Sequence, residues 1–280
     1  MPPLREERLM ICDATLVGGA MEIDADTLRS ITAASAAAGF TGVSLWAFHH
    51  LSVVGAGLAP EEVKAIHTDR GLSAPVVEAL LGWETGDPSA IDEGCTPTLD
   101  VAAFYGAETV AAVTISPTLD SFDAAASGLA HLAARAAERG LRVCVEWLPW
   151  SGIPSIAAAW KLLQATGRDD VGLVVDTWHW LRQAGGPDLD TLRAIPGDRV
   201  HVLQVNDTTA TGDEDLFAEC MAKRRLPGDG EVAFGPLLET LDEIGADPIW
   251  GPEVFNTELM ALGPDEMARR LAAASRALLP

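Results

Sequence analysis

Short apolar runs alternate with alanine- and leucine-rich stretches along the whole chain, and that rhythm constrains the fold more than any other feature. The apolar runs read as strands over 8–13, 42–46, 73–80, 109–115, 141–146, 172–176, 199–205 and 248–253. Helical patterns lie between them, near 24–38, 60–70, 97–106, 120–139, 154–166, 187–194, 235–245 and 264–278. The fourth of these opens on Asp120 and Ser121, is rich in strong helix formers, and stops at Gly140. The stretch 82–97 reads as loop. Eight strand–helix units in 280 residues match the size of a (β/α)8 TIM barrel. No Pro/Gly/Ser-rich linker or composition break interrupts them, so a single domain over 1–280 is expected. A doubly wound open sheet is the alternative, but no GxGxxG follows the first strand.

Charge narrows the range of partners. The chain carries 19 basic and 41 acidic residues, a net charge of −22, and its only lysines are Lys64, Lys161 and Lys223. Binding of nucleic acid or anionic lipid depends on cationic contacts, so neither partner is expected. The uncharged stretch 30–60 is broken by glycines and by His49 and His50, which argues against a membrane span. Cys12, Cys95, Cys144 and Cys220 are scattered without a CxxC pair, and the first residues lack the apolar core of a signal peptide. A cytoplasmic location with reduced thiols is the expectation.

In a barrel of this kind, functional side chains sit where strands end and the following loops begin. Strand five ends on Glu146, strand six on Asp176 and strand eight on Glu253, while strand seven carries Gln204 near its end. Each residue alone reads equally as a helix cap or a solvated loop residue. Together they bring three carboxylates and an amide to one side of the barrel mouth. Like charges held that close repel, and a divalent cation relieves the conflict. An oxygen-rich set favours Mn²⁺, with Mg²⁺ or Co²⁺ as alternatives, over zinc. Five tryptophans, Trp46, Trp147, Trp150, Trp178 and Trp180, fall at or just beyond strand ends. Trp46, Trp147 and Trp178 are the candidates for a flat pocket wall, suited to a sugar, a polyol or a cyclic keto compound.

The segments VCVEWLPW (143–150), GLVVDTWHW (172–180), HVLQVND (201–207), RRLPGDGEVAFGPLLETL (224–241) and PEVFN (252–256) resemble the xylose isomerase-like sugar isomerase/epimerase superfamily. The resemblance implies a metal held by Glu146, Asp176 and Glu253. It also places Gln204 where the family commonly has His. It assigns His179 and Arg224 to substrate contact. His201 alternates with Gln204 and is expected to face outward, toward the helices. Many such barrels pair, which makes a homodimer an expectation, though no exposed stripe specifies one. The segment 207–230, rich in Thr, Asp and Gly, is expected to cover the site.

This set of residues suggests a reaction. Glu146 and Glu253 are expected to remove and return a proton next to a carbonyl while the cation stabilises the enediolate. A lyase that expels a leaving group after the same proton abstraction is the nearest rival. A DNA-repair endonuclease of the same superfamily would need a histidine-rich zinc cluster and a cationic groove, and this chain has six histidines and an acidic surface. A barrel without catalysis, serving as a binding subunit, remains a third alternative.

Overall fold

Each apolar run becomes a strand of one parallel sheet in the computed structural model, which describes residues 3–280. The expected domain's first two residues therefore lie outside the description. The strands are β1 Met10–Cys12, β2 Gly42–Trp46, β3 Ser73–Leu80, β4 Thr109–Ala112, β5 Arg142–Glu146, β6 Val171–Asp176, β7 Val200–Val205 and β8 Ile249–Pro252. They pair in sequence order, and a parallel bridge between Leu9 and Trp250 brings β8 back to β1. The result is the eight-stranded barrel with helices between its strands.

Side chains alternate across each strand, and their parity builds the interior. Met10, Val76, Ala111, Cys144, Val174, Val202 and Ile249 form one buried apolar cluster, with one residue from each of seven strands. Two residues further along, on the same face, lie Cys12, Glu78, Val113, Glu146, Asp176 and Gln204. The opposite parity, with Leu45, Val77, Val110, Val145, Val175 and Leu203, packs into the larger core together with the helices.

The helices begin where their caps dictate. Asp24 accepts from the Thr27 N–H to start Ala25–Ala37, and Ser121 accepts from the Ala124 N–H to start Phe122–Ala137. The region read as loop over 82–97 is corrected. A helix runs over Pro88–Tyr105, with Asp87 capping it and Pro88 in its first turn. Pro97 lies inside that helix. The helix expected to begin at 97 thus begins nine residues earlier, and Ile91, Cys95 and Leu99, packed in the core, carry it through the proline. Short helices also follow β2 (Ala47–Gly55), β6 (Thr177–Arg182) and β7 (Leu216–Ala222), in places where the sequence suggested only loop. No helix among the described residues is long and apolar enough to cross a membrane. All four cysteines are free and buried.

His201 differs from its expected direction. The pairing of β6 with β7 shifts between Leu173/Val200 and Val174/Val202, so β7 carries one extra residue, His201, as a bulge. The ring turns onto the side where a Cβ on Gly172 would stand, only 2.5 Å from its atoms. A side chain at 172 would collide with the imidazole, and Gly172→Ala is expected to cost about 1–3 kcal/mol through overpacking. Burial, reinforced by Arg142 and Arg199, pushes the His201 pKa down to about 3. An unfolded imidazole titrates near about 6.5. Across that interval the unfolded chain binds the proton and the folded chain does not, so stability falls as the pH falls. Urea midpoints should decline between neutral pH and about 4, and less steeply in His201→Gln than in the wild type.

Candidate active site

The end of each strand delivers its next inward side chain to the barrel mouth, and there the apolar interior gives way to acids. Glu146 follows Cys144 on the inner face of β5, Asp176 follows Val174 on β6, and Gln204 follows Val202 on β7. Glu253 comes just past the end of β8. All four are buried, and so is a fifth residue, Glu78 of β3, which sequence reasoning passed over. The signal for Glu78 was its parity with Val76 and its place as the one acid in APVVEALL. It went unread because the apolar run continues beyond it to Leu80.

These groups form a connected network. Gln204 Nε2 donates to Glu78 Oε1 at 3.3 Å and to Glu253 Oε1 at 3.2 Å. Ser44 of β2 also donates to Glu78 Oε1. Asp176 Oδ1 accepts the N–H groups of Trp178 and His179 at 2.8 and 3.0 Å, so the residue that ends β6 also caps the short helix behind it. Its Oδ2 accepts from Asn206 Nδ2 at 2.8 Å and from Arg224 Nη1 at 2.8 Å. Arg224 Nη1 also donates to Glu253 Oε2 at 3.0 Å, while Nη2 donates to Cys220 Sγ at 2.9 Å. The guanidinium is thus clamped between two carboxylates. His179 Nε2 lies 3.2 Å from Glu146 Oε1, and its Nδ1 has no hydrogen-bond partner. Ligand atoms of Glu146, Asp176 and His179 all lie within 4.8 Å of one another, as do those of Cys12, Glu78 and Glu253.

Four buried carboxyl groups thus gather here with one buried guanidinium, which contacts two of them, Asp176 and Glu253. Burial raises the Glu146 pKa to about 8, the charge of Asp176 adds to the rise, and Arg224 opposes it. Burial likewise lifts Glu253 to about 7, with Arg224 pulling down and Glu146 and Asp176 pushing up. Glu78 rises well above the ordinary carboxyl range through burial and the fields of Glu253 and Glu146. Burial lowers His179 to about 4, which keeps its imidazole neutral near pH 7.

Above this floor opens a cavity of about 320 Å³. Glu78, Glu146, His179, Arg224, Glu253 and Trp46 all line it. Gln204 and Asp176 lie beneath, tied to the lining acids and to Arg224. Trp147 and Trp178 do not border the cavity. Trp147 has the opposite strand parity to Glu146 and packs in the core. Trp178 stacks edge-on behind His179 and Trp150, with ring centroids 5.3 and 5.9 Å away, and supports them. His49 and His50 are also turned away. His49 pairs with Asp13 at 2.9 Å, and His50 Nδ1 lies 3.2 Å from the Tyr105 hydroxyl.

The segment 207–230 reaches over the mouth through its helix Leu216–Ala222, which places Phe217, Cys220 and Met221 on the cavity. Asp207 holds the base of this segment. Its carboxylate accepts from the N–H groups of Thr208, Gly228 and Val232 at 2.8, 3.0 and 2.9 Å.

Arg224 is the electrostatic keystone of the floor, and its removal would leave Asp176 and Glu253 facing each other without a counter-charge. Arg224→Met is expected to destabilise the fold by about 3–5 kcal/mol in urea titrations. Adding Asp176→Asn to that variant should recover part of the loss. Strictly additive losses would show that the pair is not coupled.

A family model for the xylose isomerase-like TIM barrel matches residues 32–278. Inosose isomerase of Bacillus licheniformis is 28% identical over 137 residues, covering 46% of each chain. 3-Dehydroshikimate dehydratase of Pseudomonas aeruginosa is 26% identical over 236 residues, covering 82% of this chain and 36% of its own. The chain thus spans less than half the length of these curated relatives in the matched regions. Among solved structures, the IOLI protein with a bound zinc atom superposes with a TM-score of 0.78 at 17% identity, covering 97% of this chain and 98% of that one. The chain therefore belongs to the xylose isomerase-like TIM barrel family.

Proposed function

We propose that the protein is an isomerase or epimerase of a hydroxy-ketone, working through proton abstraction next to the carbonyl with the aid of one divalent cation. The observation that carries this reading is the pair Glu146 and Glu253. Both carboxyls are buried and line the floor of the cavity, where burial raises their affinity for a proton and a bound cation would lower it again. A group poised near the working pH can both take a proton and give one back. The activities named for relatives, inosose isomerase and L-ribulose 3-epimerase among them, support the same chemistry.

The floor also fits a cation. Four buried carboxyls face one guanidinium, Glu146, Asp176 and His179 offer atoms within 4.8 Å of one another, and Gln204 Oε1 is buried without a partner. Glu146, Asp176, Glu253 and the Gln204 oxygen would hold the ion, with His179 beside them. When bound, a divalent metal supplies Lewis-acid stabilisation of the developing oxyanion. Mn²⁺ suits the oxygen-rich set.

The remaining chemistry belongs to the side chains. One of Glu146 and Glu253 accepts the proton from the carbon beside the carbonyl, and the C–H electron pair moves into the new enediolate. The other carboxyl returns a proton, either to the opposite face or to the neighbouring carbon. Neutral His179 donates from one ring nitrogen to a substrate oxygen. Arg224 holds Asp176 and Glu253 in place and fixes the field around the oxyanion.

In deuterium oxide, NMR should record exchange at the carbon next to the carbonyl of a turned-over hydroxy-ketone. Glu146→Gln and Glu253→Gln should each slow that exchange by about 10²- to 10⁴-fold. Exchange at wild-type rate in both variants would rule out the assignment of these bases. Equilibrium dialysis should find one Mn²⁺ per chain, bound more weakly in Glu146→Gln. At about one hundred times its dissociation constant the ion should stabilise the wild type by about 2.7 kcal/mol.

Glu78 favours a second reading, dehydration. A third buried carboxyl across the cavity, held protonated by its surroundings, can give its proton to a departing hydroxyl as the C–O bond breaks. Inosose dehydratase of Lacticaseibacillus casei, 28% identical over 138 residues, performs a reaction named for this outcome. Formation of a conjugated enone, seen as new ultraviolet absorbance, distinguishes it from isomerisation.

A further inference from the structure

The walls of the cavity differ sharply from its floor. Every strand-end loop except the one after β6 sends an apolar side chain into it. On one side Trp46 stands edge-on to Phe48 and Phe255, with ring centroids 6.5 and 6.1 Å away. Facing them, Trp150 meets Phe217 edge-on at 5.7 Å. Leu81 and Ile115 close a third side. The polar side chains that line the space, Glu78, Glu146, His179, Cys220, Arg224 and Glu253, are gathered at its floor, and the walls are apolar side chains. A substrate with hydroxyls around its full perimeter would bury most of them against carbon, with no partner to replace water.

The rim repeats the pattern. Met21 is 49% exposed, Ile115 64% and Phe217 55%. All three border this one cavity. Large apolar side chains left in solvent around a single mouth mark a surface that an apolar ligand covers. Charge excludes anions. Arg224 is the one Lys or Arg among the described lining residues, and its charge is committed to Asp176 and Glu253. Arg182, the next nearest candidate, is tied to Glu219 at 2.5 Å and lies outside the cavity. Along the walls, a carboxylate or phosphate on the far end of the substrate would meet no free counter-charge.

We infer that the substrate is an uncharged amphipathic hydroxy-ketone. Its hydroxy-carbonyl end reaches Glu146 and Glu253, and its other end is a flat, aryl-sized apolar body seated between the Trp46 and Trp150 walls. This inference rests on the proton-abstraction reading for its polar end and on the walls alone for its apolar end. Sequence reasoning left sugar, polyol and cyclic keto compound open, and the walls select against the polyol.

Quenching of tryptophan fluorescence can test the inference on the protein as purified. The probes are 2-hydroxyacetophenone, inosose as the polyol ketone, and 3-dehydroshikimate as the anion. The aryl ketone should bind about tenfold or more tighter than either of the others. Phe217→Ser and Ile115→Ser, both at exposed wall positions, should weaken binding of the aryl ketone more than binding of inosose and so reduce that preference. Equal affinities, tighter binding of inosose or the anion, or no binding of the aryl ketone would each overturn the inference. Deuterium exchange on the same samples separates the two readings. Binding of the aryl ketone without exchange overturns the proton-abstraction reading and leaves the substrate class standing. Exchange with inosose preferred does the reverse.

Discussion

Buried carboxyl groups that outnumber their counter-charges set the character of this molecule. Glu78, Glu146, Asp176 and Glu253 are buried at the mouth of the barrel, and Arg224 is the guanidinium that reaches two of them. Charges in such a setting interact far more strongly than in water, and the protein resolves the excess in two ways. Asp176 is surrounded by donors: two backbone N–H groups, an amide and the guanidinium. The others are left with fewer donors, and their proton affinity rises instead. Asp176 is thereby held by hydrogen bonds on both of its oxygens, while Glu78, Glu146 and Glu253 keep a raised affinity for the proton.

The barrel makes this arrangement through strand parity. Because inner-facing residues recur every second position, a chain that places Val or Cys in one layer places the next inward residue directly above it. Cys144 leads to Glu146, Val174 to Asp176, and Val202 to Gln204. Parallel pairing in sequence order then sets these strand ends side by side around the ring, with Asp176 opposite Gln204 and Glu146 opposite Val174. The short helices after β6 and β7 do the remaining work. One is started by Asp176 itself, and the other carries Cys220, which holds the far side of Arg224.

Much of this was legible in the residues. The strand-end positions of Glu146, Asp176, Gln204 and Glu253 followed from where the apolar runs stop, and β2 and β3 matched their expected bounds residue for residue. What escaped was information carried by tertiary contacts. The first turns of the helix Pro88–Tyr105 read as loop until the core packing of Ile91 and Cys95 is known. Glu78 hides inside an apolar run because its parity matters and its position along the strand does not. His201 obeys alternation except that a single bulge in β7 reverses it. The helix Leu216–Ala222 has an acidic, threonine-rich approach that resembles a loop. Its helical form depends on the Asp215 cap and on burial of Cys220 against Arg224.

The apolar walls and the acidic floor are one electrostatic design. Carboxyls at the mouth of a polar cleft would be hydrated and ordinarily acidic, and thus weak bases. Trp46, Phe255, Trp150 and Phe217 deny them that hydration, and the same loss of water that raises their proton affinity also makes an apolar ligand welcome. A flat hydrophobic body seated between those rings would remove the remaining solvent from the floor. Its arrival would strengthen every interaction that the carboxyls and Arg224 make with the carbonyl end. On the proposed reading, the part of the substrate that takes no part in bond breaking would thereby act on the part that does, because binding energy from the apolar end would be used to desolvate the proposed bases at the other.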